Sequence, residues 1–156
     1  MAGPAQDALE ATQIEHKVIT HGPVGSVEEA AAAIGVAVAD VVKTLVVRRG
    51  DDDFLFVLVP GDRAISWPKL RALLGVSRLS MPDAAEAKRV TGYERGTITV
   101  FGSTTAWPVI ADERIRGRHV SLGAGQRGVA FLVPADDAMR AVGATFADVT
   151  DRPSPA

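Results

Sequence analysis

One lysine lies within a run of aliphatic residues, where an ammonium group could do chemistry. Residues 41–47 read Val-Val-Lys-Thr-Leu-Val-Val, a β-branched run that is typical of a strand. Because side chains alternate between the two faces of a strand, Lys43 shares its face with Val41, Leu45 and Val47. Burying an unpaired ammonium is costly, so Lys43 either reaches water along its apolar stem or enters a cavity that receives an anion. The spacing alone favours the first alternative.

A glycine-rich segment, Gly123 to Gly128, satisfies the spacing G-x-G-x-x-G. That spacing binds a dinucleotide when a strand precedes it and a helix follows it. Residues 129–133 read Val-Ala-Phe-Leu-Val, which predicts a strand, so no helix N-terminus follows to receive a pyrophosphate. The segment is therefore predicted to be either a hairpin turn or a backbone-lined wall of a pocket.

Other hydrolytic and metal-binding arrangements find little support in the sequence. The residues that could be assembled into a serine triad are Ser103, Ser121, His119 and Asp112. No nucleophile elbow surrounds either serine, and the chain has no cysteine, which excludes a thiol nucleophile and a thiolate zinc site. His16 and His21 would point to opposite faces of one strand, so we expect ordinary surface histidines, no metal and no cofactor.

Composition indicates one packed domain. The chain has 156 residues, of which 47% are hydrophobic and 23% charged, as in average globular proteins. Its net charge of −2 argues against a broad electrostatic footprint on duplex nucleic acid, so DNA is not an expected partner. No stretch approaches the ~20 apolar residues that span a bilayer, and no leader pattern begins the chain. We therefore expect a cytoplasmic protein without membrane contact.

The first half of the chain predicts a strand, two helices and a hairpin. Residues 16–20 are typical of a short strand, and the capping box at 26–29 opens an alanine-rich helix that ends near Ile34. Residues 36–42 have the spacing of a further short helix. The apolar runs 41–47 and 54–59, separated by a turn, predict a hairpin of two core strands.

The second half predicts mixed elements. Helices are expected from Ser66 to Leu74, from Asp83 to Gly92 and from Pro134 to Val142, and strands at Thr97–Phe101, Trp107–Ile110, His119–Leu122 and Val129–Val133. The order has no regular β-α-β rhythm, which favours an α+β fold with a mixed sheet. Residues 1–13 and 150–156 have little apolar surface, so we expect two flexible ends around one domain at 14–149.

Several short motifs follow one another in an order that resembles one protein family. They are Ala-Ala-Ala-Ile-Gly-Val, Val42-Lys43-Thr44-Leu45, Val59-Pro60-Gly61-Asp62, Ala85-Glu86, Thr91-Gly92-Tyr93, Phe101-Gly102, Asp112-Glu113 and Ala124-Gly125-Gln126-Arg127-Gly128. Together they cover residues 14–149 and resemble the YbaK/ProX family of aminoacyl-tRNA editing domains, also called YbaK/EbsC. The resemblance implies the fold of the editing domain associated with prolyl-tRNA synthetase, a single domain with a mixed, mostly antiparallel sheet surrounded by helices.

The resemblance also implies a site. Lys43 falls on the lysine of the family's Lys-Thr-Leu motif, and exposed amides around Gly102 would act as oxyanion donors, so both are assigned catalytic roles. The residues that the resemblance assigns to substrate binding are Thr44, Phe101, Asp112, Gly125, Arg127 and Gly128. Members commonly carry Gly-Gly-Ile-Ser-Pro-Phe-Gly where this chain has residues 95–102; Val100 replaces the proline and Arg95 the first glycine.

The implied activity is a trans-acting deacylase that hydrolyses the ester of mischarged tRNA, such as tRNA-Pro carrying cysteine, alanine or another small amino acid. The implied partners are the acceptor end of aminoacyl-tRNA and a prolyl-tRNA synthetase. The absence of a protein nucleophile agrees with attack by water or by the ribose 2′-hydroxyl. Two alternatives stay open, a non-catalytic module that binds a tRNA end or a synthetase, and a hydrolase of small esters.

Overall fold

The computed structural model describes residues 3–153, which contain five α-helices and nine strands. The helices are α1 (Pro4–Ala11), α2 (Val27–Ile34), α3 (Trp67–Leu74), α4 (Ala84–Thr91) and α5 (Ala135–Ala141). The strands are β1 (Lys17–Thr20), β2 (Lys43–Gly50), β3 (Asp53–Val59), β4 (Ala64–Ile65), β5 (Val109–Asp112), β6 (His119–Gly123), β7 (Val129–Pro134), β8 (Thr145–Ala147) and β9 (Thr150–Asp151). Two 3-10 turns lie at Val38–Asp40 and Glu113–Ile115. The predicted α+β class is confirmed.

The strands form two main sheets that meet at one point. One sheet has the order β1-β7-β6 and is antiparallel, and the other has the order β2-β3-β5-β8, with β5 parallel to both of its neighbours. A short ribbon pairs β4 with β9. The main sheets touch where Val41 bridges to Ser121 in a parallel sense. The predicted mixed, mostly antiparallel arrangement is therefore confirmed.

Strand β3 lies at the centre of the hydrophobic core. Side chains from Phe54 to Val59 alternate between its two faces, and all six are buried. Phe54, Phe56 and Leu58 pack into one cluster with β6, β7, α1 and α5, whereas Leu55, Val57 and Val59 pack into a second cluster with α3 and the segment before β9. A strand buried on both faces explains the uninterrupted apolar run in its sequence.

Helix starts follow the capping residues in the sequence. The Ser26 hydroxyl accepts a hydrogen bond from the Glu29 N–H (3.1 Å), and the Asp83 carboxylate accepts one from the Glu86 N–H (2.8 Å). Each bond satisfies one N–H that lacks a partner within its helix. The predicted starts of α2 and α4 are confirmed, as is that of α3 after Ser66.

The segment Thr97–Phe101, predicted as a strand, is irregular, so that prediction is wrong. Thr97, Thr99 and Phe101 are buried in alternation, which explains why the composition is typical of a strand. The backbone bonds locally instead: the Thr97 N–H and hydroxyl both donate to the Glu94 carbonyl (2.9 and 2.7 Å). Local bonds from threonine side chains of this kind compete with pairing between strands.

Strand β5 begins two residues later than predicted, at Val109 rather than Trp107. Pro108 has no N–H to donate, although its carbonyl accepts from the Phe56 N–H at 2.8 Å. Strands β4, β8 and β9 have only two or three residues each, too few for a detectable alternation, and were not predicted.

The chain ends differ from the flexible segments that the sequence predicts. Residues 4–11 form α1, which buries Ala5 and Leu9 on one face, and Thr150 in β9 is completely buried. Both segments are held by tertiary contacts rather than by their own apolar content. Residues 1–2 and 154–156, which also fall in the predicted flexible ends, lie outside the described residues. Between residues 3 and 153, no helix has the length and hydropathy needed to cross a bilayer.

Replacing Leu9 tests whether α1 is an integral part of the fold. Leu9 is 0% exposed, so Leu9→Ala should lower the free energy of unfolding by about 3 kcal/mol, measured by urea denaturation. Leu73→Ala, at a leucine that is 46% exposed in α3, is the matched control and should cost well below half of that. Equal effects of the two substitutions would contradict the docking of α1.

Candidate functional site

A cleft opens where the two main sheets separate. The Val42 N–H donates to the Ser121 carbonyl (2.9 Å), and beyond this bond β2 and β6 diverge and leave a cleft of about 350 Å³. Its walls come from residues 41–46, which lead into β2, from the end of β6, from the start of β7, and from the loops that contain His21, Pro82 and Ile98. The size is within the range of small-ligand pockets.

The edge of β2 presents backbone polar groups to this cleft. Val42 bonds to Ser121, and Arg48 exchanges two hydrogen bonds with Ser80 (2.7 and 3.1 Å), all on the outer side of the strand. Because alternate residues of an antiparallel strand direct their backbone groups to the same side, Thr44 and Val46 direct theirs into the cleft. A ligand in the cleft therefore meets hydrogen-bond donors and acceptors at fixed positions.

Lys43 lines the cleft and is half-buried. Its Nζ donates to the Arg63 carbonyl (2.7 Å), which uses one of its three hydrogens. Burial lowers the pKa of Lys43 below its ordinary value, and the nearby Asp62 carboxylate opposes this shift. The structure thus places the predicted lysine in the lining of a cavity, and its amine bonds to the carbonyl of Arg63, which is not among the lining residues.

The Thr44 hydroxyl is buried in the cleft wall without a hydrogen-bond partner among the described residues. An unsatisfied buried hydroxyl costs about 1–3 kcal/mol, so such groups are uncommon in native proteins. A ligand with a polar atom at this point of the wall would remove that cost. The position agrees with the substrate-binding role that the sequence predicts, which itself stays a prediction.

His21 and Arg95 also line the cleft, although neither residue was predicted to belong to the site. The His21 N–H donates to the Gly128 carbonyl (2.8 Å), and its ring Nδ1 lies 2.8 Å from the Gly22 carbonyl oxygen. The Arg95 guanidinium donates to the Pro82 carbonyl at 3.5 Å. Both residues lie in loops that reach the cleft through contacts with distant parts of the chain. The local sequence does not predict such contacts.

The glycine-rich segment forms the turn between β6 and β7, the first of its two predicted alternatives. Gly125 has a φ of +78°, and a Cβ atom there would lie 2.6 Å from the Tyr93 ring. A Cβ on Gly128 would lie 2.8 Å from the His21 carbonyl oxygen. Arg127 is exposed and pairs with Glu94 at 3.5 Å. Of these predicted binding residues, Gly125, Arg127 and Gly128 are not among those that line the cleft.

Phe101 and Gly102 lie beneath α1 and also outside the cleft lining. Phe101 is buried in the core, and its carbonyl accepts a hydrogen bond from the Tyr93 hydroxyl (2.6 Å). Gly102 has a φ of +70°, and a Cβ there would lie 2.5 Å from the Pro4 carbonyl oxygen. Their loop reaches the cleft through its earlier part, at Gly96 and Ile98.

Asp112 is completely buried and does not line the cleft either. Its carboxylate accepts hydrogen bonds from the Arg114 backbone N–H and guanidinium (3.2 and 3.0 Å), the Val149 N–H (3.2 Å) and the Thr150 hydroxyl (2.9 Å). These bonds fasten the C-terminal segment to the end of β5. The observed contacts of Asp112 are therefore structural.

A chain of contacts joins Asp112 to Lys43. Asp112 holds the Thr150 hydroxyl, which accepts from Arg63 Nε (2.7 Å), while the Arg63 Nη2 donates to the Thr150 carbonyl (3.2 Å). The carbonyl of the same arginine accepts from Lys43. The C-terminal strand thereby fixes the acceptor that orients the lysine amine.

No cluster of three His, Cys, Asp or Glu side chains that could hold a metal ion occurs within residues 3–153. The charged groups of the cleft are instead cationic, with Lys43 and Arg95 in its lining and no acidic side chain among the lining residues. Such a site favours a ligand with negative charge or with developing negative charge.

Comparison with known proteins finds similarity to an aminoacyl-tRNA editing domain and to proline–tRNA ligases. A family model described as the aminoacyl-tRNA editing domain matches residues 21–141. Proline–tRNA ligase of Lactobacillus helveticus is 32% identical over 127 residues, which cover 81% of this chain and 21% of the ligase. The chain thus spans about one fifth of the length of this relative.

Two solved structures share the fold. The crystal structure of a protein proposed as a trans-editing enzyme for prolyl tRNA synthetase superposes with a TM-score of 0.86 at 26% identity, covering 97% of this chain and 99% of that chain. A hypothetical protein superposes with a TM-score of 0.87 at 24% identity, covering 96% and 100% of the two chains. The second likeness supports the fold alone.

Replacing Lys43 tests the cost of its burial. Because burial lowers the pKa of Lys43, the folded protein releases this proton at a lower pH than the unfolded chain. The free-energy cost of burying the charged amine is therefore present at neutral pH and disappears as the pH rises toward 10.5. Lys43→Met should therefore unfold at an equal or higher urea concentration than wild type at pH 7. The difference should shrink near pH 10, and a clearly less stable variant at pH 7 would contradict this interpretation.

Replacing Asp112 tests its structural role. Asp112→Ala leaves the Val149 N–H and Thr150 hydroxyl without their acceptor, so the free energy of unfolding should fall by about 3 kcal/mol in urea titrations. Asp137→Ala, which removes one exposed ion pair with Arg140, should change it by less than about 0.5 kcal/mol. An unchanged stability for Asp112→Ala, with weakened ligand binding, would instead favour the predicted substrate contact.

Proposed function

The chain belongs to the aminoacyl-tRNA editing domain family, and on this premise we propose that it is a trans-acting deacylase that hydrolyses the ester of mischarged tRNA. The observation that carries the proposal is a half-buried lysine, Lys43, among the residues that line a cleft between two sheets. A solved relative at 26% identity, proposed as a trans-editing enzyme for prolyl tRNA synthetase, supports action in trans. The proposed place of action is the cytoplasm.

The reaction requires no protein nucleophile. The oxygen of a water molecule bonds to the ester carbonyl carbon. Alternatively, the ribose 2′-hydroxyl oxygen first bonds to this carbon and moves the aminoacyl group to the 2′ position, before water attacks. The bond from that carbon to the esterified ribose oxygen then breaks, and this oxygen takes up the proton that the attacking group gives up. With water as the attacking group the products are free amino acid and tRNA. The aminoacyl ester is already activated, so positioning and charge stabilisation supply the main acceleration.

Lys43 is suited to the stabilising role. Its amine has two hydrogens beyond the one given to Arg63, and the partly dry wall strengthens their attraction for a developing oxyanion or a terminal phosphate. The Arg63 carbonyl fixes the direction of the amine before substrate arrives. Such preorganisation avoids reorganisation during the reaction.

The cleft wall supports recognition of a small amino acid. The open edge of β2 at Thr44 offers a carbonyl to an α-ammonium group and an N–H to a carbonyl, beside the unpartnered threonine hydroxyl. Aliphatic side chains such as Ala30, Ile34 and Leu45 line the rest. An apolar wall of limited volume favours alanine-sized or cysteine-sized side chains over large or charged ones. tRNA-Pro is the proposed carrier, and a prolyl-tRNA synthetase the proposed partner.

Gly102 stays a predicted catalytic residue, and its place beneath α1 supports an indirect contribution. Because only glycine avoids a clash with Pro4 and Tyr93 there, Gly102 fixes the course of the loop. That loop carries Gly96 and Ile98 into the cleft, where its backbone can approach the ester. Predicted roles for Phe101, Gly125, Arg127 and Gly128 are likewise supported only as parts of the scaffold.

A second candidate is a binding module without turnover. The hydrogen bond between the Lys43 amine and Arg63 favours it, because an amine committed to a structural partner is less available to substrate. Affinity for tRNA acceptor ends without any release of amino acid would establish this alternative. Turnover that depends on Lys43 would remove it.

The deacylation test uses tRNA-Pro charged with alanine, cysteine or proline. Lys43→Ala should lower kcat/KM for the small mischarged substrates by about 100-fold or more, the usual loss when one oxyanion donor is removed. Lys88→Ala, at an exposed lysine paired with Glu94, is the matched control and should retain wild-type activity. Equally slow release by wild type and Lys43→Ala across the panel would end the proposal.

A further inference from the structure

A second groove lies beside the cleft and is lined by arginine. Its volume is about 340 Å³, and its lining residues are Arg48, Arg49, Arg71, Ser77, Arg78, Leu79 and Ser80. All four charged side chains in this lining, called here the arginine groove, are cationic, although the whole chain has a net charge of −2.

Two of these arginines are held by carboxylates, and two are not. Arg48 pairs with Asp51 (2.5 Å), and Arg49 makes two bonds to Asp53 (3.0 and 3.2 Å). Arg71 and Arg78 have no ion-pair partner within residues 3–153. Arg71 follows the general preference for a cation near a helix C-terminus, but Arg78 lies in the following loop, where no helix end explains it.

The arginine groove continues the cleft along the same strand edge. The two are separated by the backbone bonds between Arg48 and Ser80, and the loop after Ser80 enters the cleft wall as Met81 and Pro82. Strands rise about 3.3 Å per residue, so Lys43 and Arg48 lie roughly 17 Å apart along β2. One extended ligand can therefore occupy both sites.

The chemistry of the groove selects phosphate groups in a chain. A guanidinium presents a fork of N–H donors that matches phosphate oxygens, and serine hydroxyls are common additional donors to a nucleic-acid backbone. Arg71 and Arg78, two guanidinium groups without carboxylate partners in the described part of the chain, line one groove at a distance from Lys43. They can therefore contact the phosphate groups of a strand whose end lies in the cleft.

We infer that the arginine groove binds the phosphodiester backbone of the RNA strand a few nucleotides before its esterified 3′ end, with Arg71 and Arg78 as the main phosphate ligands. This inference rests on the proposed function, because it takes the end of that strand to lie at Lys43. Contacts between the groove and the RNA strand hold the ester in place in the cleft. Their binding energy therefore favours hydrolysis of an ester attached to RNA over hydrolysis of a small aminoacyl ester.

The test measures binding without chemistry. The probes are uncharged tRNA-Pro and a short acceptor-stem hairpin with an unpaired 3′ end, titrated by fluorescence anisotropy at several salt concentrations. Arg71→Gln combined with Arg78→Gln should weaken binding about tenfold or more and reduce the slope of log K against log salt by about 1.4. Hydrolysis of an aminoacyl-adenosine, which lacks the strand, should be unchanged.

Two controls separate position from charge. Arg140→Gln removes one charge from α5, outside the arginine groove, and should leave affinity and salt slope close to those of wild type. The double variant Arg71→Lys and Arg78→Lys keeps both charges but loses the paired N–H donors of each guanidinium. Its salt slope should therefore equal that of wild type, while its affinity should be lower. Circular dichroism and the thermal midpoint establish that each variant is folded.

Several results would overturn the inference. They are an unchanged affinity and slope in the double glutamine variant, an equal loss in the Arg140 control, absence of tRNA binding by wild type, and equal affinity for ATP or inorganic phosphate. Binding of polyglutamate in place of RNA would point to an acidic protein partner. None of these binding measurements needs turnover. The inference about the arginine groove can therefore be wrong while the proposed deacylation is confirmed, and the reverse.

Discussion

The backbone bond from Val42 to Ser121 is the constraint on which the site depends. It joins two sheets that otherwise have separate pairing, and the strands diverge immediately beyond it. If the ladder had continued, β2 and β6 would have closed into one sheet, and no cleft would exist between them. Each sheet has a well-buried face of its own, so the gap between them persists without loss of the core.

Unfavourable groups are concentrated at this gap. A half-buried ammonium, a hydroxyl without a partner and two residues of unpaired strand edge all occur within Lys43–Val46. None of them stabilises the fold, and the burial of Phe54 to Val59 in the neighbouring strand β3 offsets their cost. Local violations of good packing and polar pairing are expected where a protein must bind something else. The arrangement is therefore better explained by ligand binding than by folding.

The sequence predicted what local rules determine. Capping residues such as Ser26 and Asp83 predicted the helix starts, and β-branched runs predicted the central hairpin. Features that depend on distant contacts were not predictable in this way. Helix α1 is held by burial of Leu9, and Thr97 bonds back to its own turn rather than to a strand. Family resemblance located the cleft through Lys43, but it could not tell lining residues from scaffold residues such as Asp112, because both occur in the same motifs.

The contact chain through Arg63 has a consequence for how such a domain can vary. The lysine amine is aimed by a carbonyl whose own arginine side chain is held by Thr150, at the last strand of the chain. Changes in the length or pairing of that strand would redirect the amine without altering any side chain in the cleft. The C-terminal strand thus sets the direction of the Lys43 amine from a distance, so the chemistry of the cleft can change while its lining residues stay the same.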